Sequence, residues 1–258
     1  GIPIQVQPAE VVKLTFILLL ARQLVWMKGR GDMKSIPAVG LLAGNLLVTI
    51  GLYYVISSDM GSALVFLFIF ACMCFVAGVA LRWFLIGGGA AALLFYAMWD
   101  LNLLDSYMKK RFIVLFDHNY DVQGQGWQQT RSLLTIGGGG FWGQGYLHGT
   151  QSQAGVGSVP ARHTDLIFAV IGEELGFVGA TLSILLLVAI IIRVLVVGRR
   201  AAQPFHTYVC VGIASMVMFQ MIINIGMCLF IMPVIGLTLP FFSYGGSSVV
   251  TLFAAMGL

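Results

Sequence analysis

The chain has 258 residues, of which 59% are hydrophobic and 9% charged, with mean hydropathy +0.95 and net charge +4. Soluble domains carry about a quarter charged residues, so an ordinary soluble enzyme is excluded. The small positive excess lies at the ends of apolar runs, which fits membrane orientation and argues against a nucleic-acid partner.

Apolar runs of about 20 residues, the length needed to cross a bilayer as a helix, recur along the chain. Gln7-Pro8-Ala9-Glu10 opens the first predicted span, with proline in the first turn and an acid favouring the helix dipole. That span runs from Val11 to Met27 and closes on Lys28, Arg30 and Lys34. The second covers Ile36 to Ile56, and its Gly40 and Gly44 have the spacing of close helix packing. Ser57 to Met60 is a tight link. A third span runs from Gly61 to Leu81 and a fourth from Phe84 to Leu104. A 60-residue polar segment, Asp105 to Thr164, follows. Leu166 to Val197, Phe205 to Met232 and a run starting near Val249 complete the set, with a Pro/Gly/Ser-rich hairpin from Pro233 to Ser248. The expected fold is all-α: a single transmembrane domain over residues 1–258 with about seven spans. Cys72, Cys74, Cys210 and Cys228 lie inside spans without disulfide or zinc spacing and read as packing residues. The chain opens at Gly1 and closes a few residues into an apolar run, so further spans before Gly1 are expected.

Basic residues of the short loops set the orientation. Lys28, Arg30 and Lys34, then Arg82, then Arg199 and Arg200 fall on one face, expected to be cytoplasmic. Asp59, the 105–164 segment and the hairpin share the outer face. Trp26, Trp83, Trp99, Tyr53 and Tyr54 read as interfacial belt residues.

The outer segment holds 11 glycines and three histidines. Gly138, Gly140 and Gly143 match the dinucleotide fingerprint formally, but no βαβ context accompanies them, and the match is discarded. The glycines point instead to close backbone approach. Trp127 to Ile136 reads as a short amphipathic helix with Leu133, Leu134 and Ile136 towards lipid or protein. A loop this long with little secondary structure is usually functional. His118, His148 and His163 are too scattered for a metal constellation. A divalent cation (Mg or Mn) needs few protein ligands when phosphate holds it. Lys109-Lys110-Arg111 is either a solvated run or a clamp for lipid phosphates.

Arg162, His163, Thr164 and Asp165 crowd the entry of the longest span. Ionisable groups there tend to mark function, although Thr164 or Asp165 as a plain helix cap is the competing reading. That span is 32 residues, roughly 48 Å long, so its first turns are expected to stand above the lipid. Glu173 and Glu174 point about 100° apart on a helix and cannot form one paired-carboxylate site. Bonding to neighbouring helices is their expected job. Glu10 and Lys13, three apart, are either an intrahelical ion pair or the lining of a polar pathway.

Six stretches together resemble the SEDS family (shape, elongation, division and sporulation proteins), on its RodA-type branch. They are Gln7 to Lys13, Asp59 to Leu64, Tyr107 to Phe112, Gly145 to Gln153, His163 to Gly176 and Pro233 to Ser248. The departures are small: Ala9 stands where serine is common and Met60 where leucine is common. The His148 to Gln153 stretch leans towards the elongation branch rather than the division branch. The family has ten spans, and this chain would hold the fourth to the tenth.

The resemblance implies a peptidoglycan glycosyltransferase of the bacterial cytoplasmic membrane. Such an enzyme polymerises lipid II on the outer face, partnered by a class B penicillin-binding protein that crosslinks the product. By the family motif, Asp165 corresponds to the catalytic carboxylate. Departure of a polyprenyl diphosphate asks for cations, and Lys13, Arg111, Arg131 and Arg162 are the candidates, with Glu10 and Asp59 beside them as substrate-side groups. Glu173, Glu174 and Ser243 are assigned structural roles. No cofactor is required; a divalent cation on the diphosphate is compatible with the reaction. The rival readings are a lipid transporter, with Glu10, Lys13 and Asp59 lining a headgroup pathway, and a non-catalytic scaffold for cell-wall enzymes.

Overall fold

A computed structural model describes residues 7–31, 35–57, 59–101, 106–117, 124–153 and 161–258. Lys34, His118 and Pro160 lie outside the described residues. The helices are α1 (Pro8–Gly29), α2 (Ile36–Ser57), α3 (Met60–Ala77), α4 (Leu81–Asp100), α5 (Ser106–Phe116), α6 (Gln125–Gly139), α7 (Ile167–Arg200), α8 (Pro204–Cys228) and α9 (Gly246–Gly257). No strand occurs among the described residues. This is a polytopic, all-helical membrane protein. Seven helices fall where spans were expected, and α2, α3, α4, α7 and α8 are long and apolar enough to cross a membrane. Helix α1 has 22 residues but carries Glu10, Lys13, Arg22 and Lys28, and α9 is a shorter apolar helix of 12 residues.

Two boundaries move for identifiable reasons. Helix α3 stops at Ala77, short of Leu81, because Gly78 adopts the left-handed conformation (φ 95°) and closes the helix through Val79 N to Cys74 O at 3.1 Å. Glycine takes that conformation without a Cβ penalty. The outer segment is not one long loop: α5 and α6 lie within it.

The chain forms two compact units. One comprises Gly1–Leu94, Ala189–Phe219 and Gly246–Leu258; the other comprises Phe95–Val188 and Gln220–Gly245. In the first, Phe16, Ile17, Leu20 and Leu24 of α1 are buried with Val65, Phe66, Ile69 and Met73 of α3. Phe16 and Phe66 meet edge to face at 5.4 Å. Gly212 of α8 is a close-approach point, since a Cβ there would come within 2.6 Å of Ile17. Tyr53, expected in an interfacial belt, is buried instead: its ring lies against Phe66 and its hydroxyl donates to Asp59 Oδ2 at 3.3 Å. All four cysteines are free thiols.

The second unit is built around a break in α7. Gly176 has φ 67° and ψ −166°, so the expected single span is two helical pieces. The 24 residues after the break, Phe177 to Arg200, reach about 36 Å, enough for a hydrocarbon core of about 30 Å. A break within a span is tolerated only where the freed backbone groups find partners. Here residues 140–145 supply them. Gln144 N donates to Glu173 O (2.9 Å) and Gly145 N to Glu174 O (3.0 Å), while Phe177 N donates to Gly140 O (3.0 Å) and Val178 N to Phe141 O (3.3 Å). Such closeness excludes side chains: a Cβ on Gly139 would lie 2.0 Å from Gly172 O, and one on Gly143 2.2 Å from Glu174 O.

Candidate active site

Helix α6 supports the second unit through its polar face. Its Gln129, Ser132 and Thr135 are buried while Leu133 and Leu134 are exposed, so the polar face turns inward. Gln129 Nε2 donates to Met232 O (2.7 Å) and Ser132 Oγ to Cys228 O (3.0 Å). Those carbonyls lie at and beyond the C-terminus of α8, where helix geometry leaves them without partners.

Glu173 and Glu174 organise the loop 144–153. Glu173 accepts from Gln151 N (2.7 Å), Ser152 N (2.8 Å) and Thr150 Oγ1 (3.3 Å). Glu174 accepts from Leu147 N (3.1 Å), Gln153 Nε2 (3.1 Å) and Ser152 Oγ (3.5 Å). Backbone amides donating to a buried carboxylate are the stronger, charge-assisted kind. Expected to reach neighbouring helices, the two carboxylates bind a loop instead. They diverge on the helix, yet Ser152 lies between them and contacts both. Gly149 makes room there: a Cβ would meet Ser152 Oγ at 2.1 Å and Glu173 Oε2 at 2.5 Å and displace these side chains.

The loop in turn gathers two of the candidate cations. Arg131 donates to Gln151 Oε1 at 2.6 Å with its guanidinium over the Trp127 ring. Arg162 donates to Ser152 O and, through Nε, to His163 Nε2 at 3.1 Å. Arg111 lies on α5 with a buried Nε.

Asp165 stands half-buried at the end of a tight turn. Thr164 N and Leu166 N both donate to Ala161 O, and Ala161 has φ 49°, uncommon for a residue with a side chain. The Thr164 hydroxyl also turns to Ala161 O rather than to the helix. Three consecutive carbonyls of this turn are then fastened. Tyr244 N donates to His163 O (2.7 Å), Ser243 Oγ to Thr164 O (2.6 Å) and Asn224 Nδ2 to Asp165 O (2.8 Å). Ser243 Oγ also accepts from Leu239 N at 2.8 Å, and Asn224 Nδ2 donates to Leu237 O at 2.7 Å. Gly236, with φ 74°, brings hairpin backbone beside the carboxylate: a Cβ there would be 3.7 Å from Asp165 Oδ2.

The remaining predicted residues belong to the first unit. Glu10 and Lys13 form a buried ion pair, Nζ to Oε1 2.7 Å, with Lys13 only 1% exposed. Asp59 caps α3, accepting from Gly61 N (2.9 Å), Ser62 N (3.4 Å) and Ser62 Oγ (2.7 Å). Among the described residues no group of three or more His, Cys, Asp or Glu is placed to hold a metal ion. Asn224, Gln151 and Gln129 were not singled out in the sequence. For Asn224 a signal existed, because an amide inside an apolar span needs a specific partner.

A membrane span broken at a glycine, its gap closed by a loop and a carboxylate fixed at its entry, defines a polytopic membrane protein with one polar site built on irregular backbone. The FtsW/RodA/SpoVE family model, described as "cell cycle protein", matches residues 2–258. The chain belongs to this SEDS family, which locates it in the bacterial cytoplasmic membrane.

It is 34% identical over 263 residues to the probable peptidoglycan glycosyltransferase FtsW of Aliivibrio salmonicida, covering 98% of this chain and 62% of that protein. It is 33% identical over 259 residues to the peptidoglycan glycosyltransferase MrdB of Escherichia coli K12, covering 99% and 67%. Among solved structures it resembles a chain from a study titled "Structural coordination of polymerization and crosslinking by a peptidoglycan synthase complex", with TM-score 0.81, 34% identity and coverage of 99% and 69%. The Thermus thermophilus rod shape determining protein RodA matches with TM-score 0.64, 29% identity and coverage of 97% and 63%. The chain thus spans 62% and 67% of the two curated relatives named here.

Proposed function

We propose that this protein is a peptidoglycan glycosyltransferase that polymerises lipid II at the outer face of the cytoplasmic membrane, serving cell elongation and shape. The observation that carries the reading is the fixation of Asp165: the carbonyls of residues 163, 164 and 165 each receive a donor from α8 or the hairpin. A structural cap would not need its backbone held from three sides, whereas a proton acceptor must be held in register with its substrate. The names of the relatives supply the reaction class.

In this mechanism the acceptor sugar hydroxyl attacks the anomeric carbon of the donor while Asp165 takes its proton. The bond from that carbon to the diphosphate oxygen breaks, and the polyprenyl diphosphate departs with the electron pair. Developing negative charge on the leaving group calls for positioned cations. Arg131 and Arg162 are favoured, because each commits only part of its five donors to the loop. Arg111 remains a third candidate. Lys13, closed on Glu10, has a structural role in this conformation. A divalent cation would arrive with the diphosphate, and no resident metal is assigned. The His148 to Gln153 stretch favours the elongation branch, and a class B penicillin-binding protein is the proposed partner. The transporter reading draws no support from Glu10, Lys13 and Asp59, which act as an ion pair and a cap.

The test is Asp165→Asn in purified protein, assayed for glycan chains from labelled lipid II with and without the partner transpeptidase. Turnover is expected to fall about 10²–10⁴-fold with insertion intact. Near-parental synthesis would remove Asp165 from the chemistry and favour the scaffold or transporter.

A further inference from the structure

We infer that Asn224 is the positioning residue for Asp165: its carboxamide sets the gap between the carboxylate and the hairpin wall that faces it. This rests on the reading of Asp165 as general base.

Asn224 lies on α8, four residues before that helix ends at Cys228, and is fully buried at 0% exposure. Both of its donors are committed. One N–H goes to Asp165 O (2.8 Å) and the other to Leu237 O (2.7 Å). Since both neighbours are carbonyl oxygens, which only accept, the amide nitrogen must face them and the flipped orientation is excluded. One planar group therefore ties the peptide of Asp165 to the residue next to Gly236, whose backbone borders Asp165 Oδ2.

The other two fasteners hold the preceding carbonyls. Tyr244 holds His163 O, and Ser243 holds Thr164 O while accepting from Leu239 N, so it also ties the turn to the hairpin. Among these three, Asn224 is the one that bonds the carbonyl of Asp165 itself and reaches the residue next to Gly236.

A second observation is independent of those distances. The carbonyl oxygen of the same side chain, Oδ1, is buried with no hydrogen-bond partner. An orphaned buried acceptor is unfavourable, and a leucine, with the same branched shape, would carry no such atom. If helix packing were the only demand at this position, the amide would be a poor answer. What it supplies that leucine cannot is a pair of donors at a fixed separation.

The test uses two near-isosteric substitutions in purified protein. Asn224→Leu removes both donors, and Asn224→Asp replaces the donor pair by a carboxylate facing two carbonyls. Steady-state polymerisation of labelled lipid II is measured beside thermal unfolding and binding of lipid II to the same preparations. Because an error of about 1 Å in a reacting group can cost about 10²-fold, kcat is expected to fall about 10- to 100-fold in both variants. KM and lipid II affinity of the folded protein should stay within about threefold, while the unfolding temperature falls because Asp165 O and Leu237 O lose their donors in both variants. A loss confined to kcat is what a purely structural residue would not give.

Asp165→Asn is run in parallel to separate the two failures. If that variant is inactive while a folded Asn224 variant turns over at the parental rate, the positioning role is wrong and the general base stands. If Asp165→Asn is itself active, the underlying reading has failed. If neither Asn224 variant folds, the amide is a structural support of the hairpin and the assignment is overturned.

Discussion

The substitution Glu173→Gln isolates the role of the buried carboxylate that holds the 144–153 loop. Glu173 is 0% exposed, and its two oxygens receive Gln151 N at 2.7 Å, Ser152 N at 2.8 Å and Thr150 Oγ1 at 3.3 Å. Glutamine keeps the volume but offers one acceptor oxygen and one NH₂, so at least one backbone amide then faces a donor. A hydrogen bond to a charged group contributes about 1.5–3 kcal/mol, and an unsatisfied buried donor costs about 1–3 kcal/mol. Allowing for relaxation, the loop should be destabilised by about 2–4 kcal/mol. Every 1.4 kcal/mol is tenfold in an equilibrium constant, so local opening should rise about 30- to 10³-fold. Hydrogen–deuterium exchange followed by mass spectrometry reads this directly at the amides of Gln151 and Ser152. Arg131 and Arg162 lean on Gln151 and Ser152, so polymerisation should fall with the loop. Unchanged protection in that peptide would refute the claim that this carboxylate, rather than backbone packing, holds the loop.

Four further outcomes are expected. Gly176→Ala and Gly143→Ala should abolish monodisperse protein in size-exclusion chromatography, since the added Cβ would meet Gly143 N at 2.3 Å and Glu174 O at 2.2 Å at positive φ. Gly137→Ala, with open space around it, should be neutral or stabilising by about 1 kcal/mol. Lys13→Ala should destabilise by about 3–5 kcal/mol in thermal unfolding by stranding buried Glu10, while the double variant Glu10→Gln with Lys13→Met recovers most of the loss; equal losses in single and double variants would argue against the pair. Single cysteines at positions 111, 140 and 148 should react with an impermeant reagent from outside intact cells, and those at 82 and 199 should not. Outside labelling at 199 would invert the topology.

The sequence by itself determined the membrane class and the seven apolar helices with their approximate ends, because the length of an apolar run is a one-dimensional property that the bilayer thickness reads directly. It also pointed to Asp165, through a local cluster of polar residues at a span entry and the motif around it. Asp59, given a substrate-side role from the motif, caps α3 in the structure, a bond within its own turn. What hydropathy could not reveal was the break at Gly176: Glu173 and Glu174 put charge beside it, but the break itself is stabilised by carbonyls and amides of residues 140–145, far away in sequence. Partners of Glu173 and Glu174 were misjudged for the same reason: they are backbone amides more than 20 positions away, which no spacing rule encodes. Asn224, Ser243 and Tyr244 converge on three adjacent carbonyls from 59 to 81 positions along the chain. Chain folding alone decides such a convergence, because hydrogen bonds act over about 3 Å of space and are indifferent to distance in sequence.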